Sequence, residues 1–184
     1  MFKKCPGSLT YSEKKVTQKF ETLKKCGLLD DEVLSVLKRS PHCIGVSEQR
    51  IENSIETCLA LGFTREEFLM MVKCFPPCLH LSGETLKKKT EFLVKKMNWP
   101  LKALVSNPSV LGSSMEKRMV PRCNVVKALM SKGLIGSELP SLSSVLVCTD
   151  ETFLKRYVRK LDDDELVAEL MAIFTGIKRK TDKT

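Results

Sequence analysis

Residues 73–82 read KCFPPCLHLS and bring Cys74, Cys78 and His80 close together in the chain. Thiolates and an imidazole at such spacing could ligate zinc, and paired cysteines could work as a redox dithiol. A second cluster, Asp162 to Glu165, offers four carboxylates in a row, suited in type to a divalent cation or to acid–base chemistry. Spacing argues against both. Structural zinc takes four ligands, commonly from two close pairs, and no partner pair accompanies the first. Successive helical residues diverge by roughly 100°, so four adjacent carboxylates do not converge on one ion.

The cysteine stretch is also not unique, which explains it differently. PGSLTYS from Pro6, PHCIGVS from Pro41, PPCLHLS from Pro76 and PSVLGSS from Pro108 share proline, an apolar Leu or Ile three residues on, and serine six residues on. SSVLVCT from Ser143 loses the proline, keeps Leu146 and puts Thr149 in place of serine. The starts lie 35, 35, 32 and 35 residues apart. Cys78 is therefore the counterpart of Cys43, and both belong to a repeated corner. The eight cysteines are widely scattered and read as reduced, mostly buried small hydrophobes. No metal site and no cofactor are expected. The catalytic residues are none: no Ser-His-Asp set, Cys-His pair or Gly-rich phosphate loop is visible, and the chain is not expected to be an enzyme.

Between the corners the sequence turns helical. Ser12, Ser47, Ser82, Ser114 and Thr149 are natural N-caps, each followed closely by an acid that suits the positive end of a helix. Val16, Phe20 and Leu23, and Ile51, Ile55, Cys58 and Leu59, follow helical spacing. Gly27 and Gly62 end these first helices. A shorter second helix opens on acids (Asp30 to Glu32, Glu66 and Glu67, Asp162 to Glu165) and stops at the proline. The few residues from proline to serine fit a 3-10 turn whose Leu or Ile plugs the core between repeats. In the third repeat the glycine is replaced near Asn98, Trp99 and Pro100, and Trp99 reads as a core plug. A two-helix unit cannot bury its apolar stripe alone, whereas stacked units can. The expected fold is all-α: an α-solenoid of about five repeats, each of two helices and a short 3-10 turn, wound into a curved superhelix. Residues 1–12 would close an incomplete first repeat, 12–176 would form the helical-repeat domain, and 177–184 would be a disordered basic tail.

Charge supplies the functional clue. The formal net charge is +9. Between Thr85 and Lys132 stand eleven Lys or Arg against two acids, while the remainder holds twenty of each sign. One segment carries the whole positive excess, as a polyanion-binding face would. Lys87, Lys88, Lys89, Arg118, Arg122 and Lys127, near the starts of the third and fourth repeats, are the candidate phosphate contacts. No apolar run reaches the length of a membrane span, and no membrane partner is expected.

Pro-x-x-Leu/Ile, then a Ser-capped helix, then Leu-Gly-Phe-x-x-Glu-Glu resembles the mitochondrial transcription termination factor (mTERF) family. The closest likeness is LALGFTREEFLMMVKCFPPCLHLS at 59–82. TEFLVKKMNWPLKALVSNPSVLGSSMEKRMVPRCNVVKALMSKGL is similar to the C-terminal part of land-plant members, and the likeness runs from Pro6 to Phe174. The tetratricopeptide and pentatricopeptide patterns do not fit. The resemblance implies an organellar protein, mitochondrial or plastid, that binds nucleic acid and acts in transcription, its termination, or RNA maturation. Members usually carry a transit peptide and further repeats upstream, so the chain is expected to be N-terminally truncated. Double-stranded DNA, bound by a monomer, is the first expectation. Single-stranded RNA during intron splicing, or a protein-interaction scaffold, stay as alternatives.

Overall fold

The computed structural model describes residues 11–176. The Pro6 corner and the tail 177–184 lie outside them. No strand occurs among the described residues, and none of their helices is long and apolar enough to cross a membrane. The helices are α1 (Glu13–Lys25), α2 (Asp30–Arg39), α3 (Glu48–Ala60), α4 (Arg65–Cys74), α5 (Gly83–Glu91), α6 (Leu101–Ser106), α7 (Val120–Ser131), α8 (Asp150–Tyr157) and α9 (Asp164–Thr175). They make up an all-α helical-repeat fold, as the recurrence of the corner predicts. Two compact units are distinguished: residues up to Lys96 with Pro100–Gly112, and Met97–Trp99 with the chain from Ser113 onward.

In the first unit, α1 packs on α2 and α3 on α4; α3 also packs on α5, and α2, α4 and α6 pack in series. The starts of the first helices are fixed by their caps. The hydroxyls of Ser47 and Ser82 accept from the Arg50 and Thr85 amides at 3.3 and 3.1 Å. Ser12 caps by position, with no side-chain bond. Thr64 and Glu67 exchange side-chain and backbone bonds at the start of α4, which satisfies two amides at once. The second helices end because a proline follows. Ser40, Phe75 and Asn107, each just before a proline, share φ values of −140°, −140° and −135°. The proline ring excludes the helical conformation from its predecessor.

Three 3-10 turns follow, Pro41–Gly45, Pro76–His80 and Pro108–Gly112, and successive turns pack on one another. Their apolar plugs Ile44, Leu79 and Leu111 are buried, each contributing about 1.5–3 kcal/mol relative to exposure. The residue before each plug, Cys43, Cys78 or Val110, is buried as well. Cys43 Sγ lies 3.5 Å from the Pro76 carbonyl of the next turn. The Phe75 ring fills the space a side chain at Gly112 would need, with Cζ 2.7 Å from the position of a Cβ there. The first-to-second helix corners need left-handed backbone. Gly27 and Gly62 supply it with φ of 117° and 94°.

The second unit keeps the plan with changes. A wide turn, Met115–Met119, runs straight into α7 and is capped by Ser114, whose hydroxyl accepts from Lys117 at 3.1 Å. Pro121 lacks an amide, and its ring would strike the Lys117 carbonyl in regular α-geometry; the wider turn before it relieves that conflict. Asn98 takes the glycine's corner with φ 67°, a conformation that asparagine tolerates. Trp99 is buried and donates from Nε1 to the Pro140 carbonyl at 2.9 Å. After α7, residues 134–141 form no helix, so the fourth repeat lacks its second helix. Its closing turn, Ser143–Val147, is a wide turn and not the expected 3-10 turn, yet Leu146 is still buried. α8 starts at Thr149, which accepts from Thr152 at 3.2 Å, and α9 starts at Asp163, which accepts from Leu166 at 3.0 Å. The acidic run at 162–165 is thus a helix start.

Candidate nucleic-acid interface

The six basic residues singled out by charge separate into two kinds. Lys87 and Lys88 are exposed on α5, and Lys127 is exposed on α7. Arg118 is half-exposed and lies 3.6 Å from the Asp150 carboxylate. Lys89 and Arg122 are buried and are removed from the candidate surface. Lys89 Nζ donates to the Leu111 carbonyl at 2.6 Å. Arg122 is fully buried; one of its amino groups donates to the Val145 and Cys148 carbonyls at 2.8 and 2.9 Å, and the other to Asp150. Its guanidinium carbon sits 4.8 Å from the Phe153 ring centroid, a favourable placement for a cation over a π-face.

These two belong to a recurring device. Lys19 in α1 is buried and donates to the Val46 carbonyl at the end of the first turn. Lys19 and Lys89 stand seven residues after Ser12 and Ser82, and Arg122 eight after Ser114, the wide turn adding one residue. In the second repeat Ser54 occupies the place and bonds Arg50 in its own helix. A cation from the first helix therefore ties down the carbonyl end of the closing turn in three repeats. Burial pushes the Lys19 ammonium below its ordinary pKa, partly offset by Glu48. The signal was present in sequence. Lys89 lies three after Leu86 and four before Leu93, and Arg122 three after Met119 and four before Val126, so each sits inside an apolar stripe.

In the first unit the first helices carry exposed cations at Lys14 and Lys15, Arg50, and Lys87 and Lys88, and further exposed cations stand at Lys25, Lys38, Arg39, Arg65, Lys95, Lys96 and Lys102. Acids stand on the same first helices. Glu21, Glu56 and Glu91 stand nine residues after Ser12, Ser47 and Ser82, and Glu91 accepts from Lys95 at 2.8 Å. His80, exposed at the end of the second turn, is held below its ordinary pKa, first by partial desolvation and then by Arg50 and His42. Those three side chains share one electrostatic neighbourhood. In the second unit, Lys117 is exposed beside Arg118, and α8 adds exposed Lys155 and Arg156, which the 85–132 window missed. Lys132 pairs with Glu169 at 3.2 Å and Arg159 with Glu151 at 3.1 Å.

Five of the seven described cysteines are buried. Burial raises the thiols of Cys26, Cys43, Cys58, Cys78 and Cys123, to about 12 at Cys58 and Cys123. Cys74 is exposed whereas Cys78 is buried. Among the described residues no three His, Cys, Asp or Glu side chains gather as a metal-holding group. Each unit bears exposed ammonium or guanidinium groups, the side-chain chemistry that pairs with phosphate.

Helix pairs closed by proline-led turns, stacked with their plugs between them, define a helical-repeat protein. The mTERF profile matches residues 1–154, and the chain belongs to the mTERF family. It is 31% identical over 84 residues to the Arabidopsis thaliana protein "Transcription termination factor MTERF15, mitochondrial". That alignment covers 46% of this chain and 19% of the relative, so the chain spans a minor part of that protein's length.

Proposed function

We propose that this chain binds nucleic acid, double-stranded DNA ahead of single-stranded RNA, as part of an organellar factor that regulates or terminates transcription. Family membership and the relative's printed role support the class of function and an organellar location. The observation that carries the binding mode is the exposure of the basic segment. With Lys89 and Arg122 set aside as structural, Lys87, Lys88, Lys95, Lys96, Lys102, Lys117 and Lys127 remain exposed against only Glu91 and Glu116 in that stretch. Phosphate contacts by such side chains release counterions and make affinity fall steeply with salt. Duplex DNA is favoured over single strands because stacking platforms are scarce: Trp99, Phe63, Phe68 and Phe153 are buried, and single-strand binding relies on exposed aromatics.

Titration of labelled duplex DNA and of single-stranded RNA of equal length, each at two salt concentrations, tests this. Lys87→Glu plus Lys127→Glu is expected to weaken duplex binding and flatten its salt dependence while helicity is unchanged. Equal affinity of wild type and double variant at moderate salt would overturn the assignment. Tighter binding to the RNA would move the function to RNA maturation.

A further inference from the structure

The structure carries one more feature on the candidate interface of the second unit. Arg118 and Arg122 converge on a single oxygen, Oδ1 of Asp150. Arg122 cannot serve a ligand, since it is fully buried and anchored on the Val145 and Cys148 carbonyls. Arg118 differs: its side chain is 36% exposed, its contact with the carboxylate is 3.6 Å, beyond hydrogen-bond length, and Asp150 itself is 61% exposed. We propose that Asp150 is a built-in competitor for phosphate: its carboxylate occupies the anion position in front of Arg118 and restrains that arginine from nucleic acid.

The inference rests on the nucleic-acid-binding role proposed above and adds a regulatory element to it. Two guanidiniums share one carboxylate, so Asp150 is held in place by the buried Arg122 whether or not Arg118 leaves. A phosphate diester brings the same charge and the same acceptor geometry as a carboxylate, and arginine pairs with either. With Asp150 fixed beside it, a phosphate approaching Arg118 meets a like charge. Asp150 is thus a positioning residue: it pairs with Arg122 in the core, and its effect on phosphate binding is exerted through Arg118.

The test compares wild type, Asp150→Asn, Arg118→Gln and the double variant by duplex DNA titration over a salt series. Asparagine keeps the shape and can still accept from Arg122, so the fold is checked by melting and binding is read well below the transition. Asp150→Asn is expected to tighten binding about three- to ten-fold at low salt. It should also steepen log K against log salt by about 0.9, one added phosphate contact. Arg118→Gln is expected to cost less than about two-fold in the wild-type background and to erase the gain in the Asp150→Asn background. Unchanged or weaker binding by Asp150→Asn overturns the proposal. If Asp150→Asn does not fold, Arg118→Gln decides alone: a large loss in the wild-type background, with a shallower salt slope, shows Arg118 already engaged and overturns it too. Wild type and Asp150→Asn both failing to bind DNA or RNA would instead bring down the nucleic-acid assignment, and this inference with it.

Discussion

Lys89 Nζ donates a 2.6 Å hydrogen bond to the carbonyl of Leu111, twenty-two residues along the chain, and both side chains are buried. The bond spans one repeat, from the second turn of its first helix to its closing 3-10 turn. A buried carbonyl without a donor is costly, and a cation is a strong donor for the negative end of a short helical turn. Lys19 with Val46 and Arg122 with Val145 and Cys148 also join a first helix to the closing turn of its repeat, at other positions along that turn.

Replacing Lys89 with methionine keeps most of the stem's packing and removes only the donor. The Leu111 carbonyl is then unpaired, and a loss of about 1–3 kcal/mol in unfolding free energy is expected. Arg122→Met should cost more, about 3–5 kcal/mol, since two carbonyls and Asp150 lose one shared partner. Urea unfolding measures both. Wild-type stability for Lys89→Met would mean the bond contributes nothing.

The turn plugs give a second expectation. Leu79 is fully buried and Ile44 nearly so, in turns that pack on one another. Leu79→Ala and Ile44→Ala should each destabilise by about 2–4 kcal/mol. Thermal or urea midpoints within error of wild type would show that the turns do not seal the repeats.

The repeat frame, the caps and the proline stops were legible because each depends on local residue chemistry recurring at about 35-residue steps. Ser47, Ser82, Ser114 and Thr149 cap as their type dictates. Two things were harder to read. The loss of the fourth repeat's second helix comes from residues 134–141, where Gly136 and Pro140 break periodicity without defining what replaces it. The fate of each lysine and arginine depends on the face it occupies, and counting charge along the chain mixes Lys89 with Lys87 and Lys88. Reading Lys89 and Arg122 by their place in the apolar stripe separates the structural cations from the surface ones.

Thiol chemistry follows the same burial pattern. Cys58 and Cys123 are pushed up to about 12 and Cys78 is raised as well, all chiefly by burial. Such thiols hold almost no thiolate near neutral pH and are shielded from reagents. Among the described cysteines, Cys74 on the end of α4 is the exposed one. Labelling the native protein with a disulfide reagent at about pH 8 should modify Cys74 quickly and leave Cys58, Cys78 and Cys123 intact until the chain unfolds, as peptide mass mapping would show. Rapid native labelling of Cys78 would contradict its place in the core.

His80 makes stability depend on pH with a definite sign. Its folded-state pKa lies below the ordinary 6.5 because partial desolvation of the exposed ring, Arg50 and His42 all disfavour the charged form. In the window between the folded and unfolded values the unfolded chain binds more protons, so stability rises with pH and is lost as pH falls through 6.5 toward the folded value. The protein should therefore melt at a lower temperature at about pH 5.5 than at about pH 7.5. His80→Asn, which cannot titrate, should reduce that difference while shifting the pH 7.5 melting point little. Removing Arg50 by Arg50→Gln should reduce it as well, since one source of repulsion is gone. An unchanged pH dependence in both variants would show that His80 is not the titrating group.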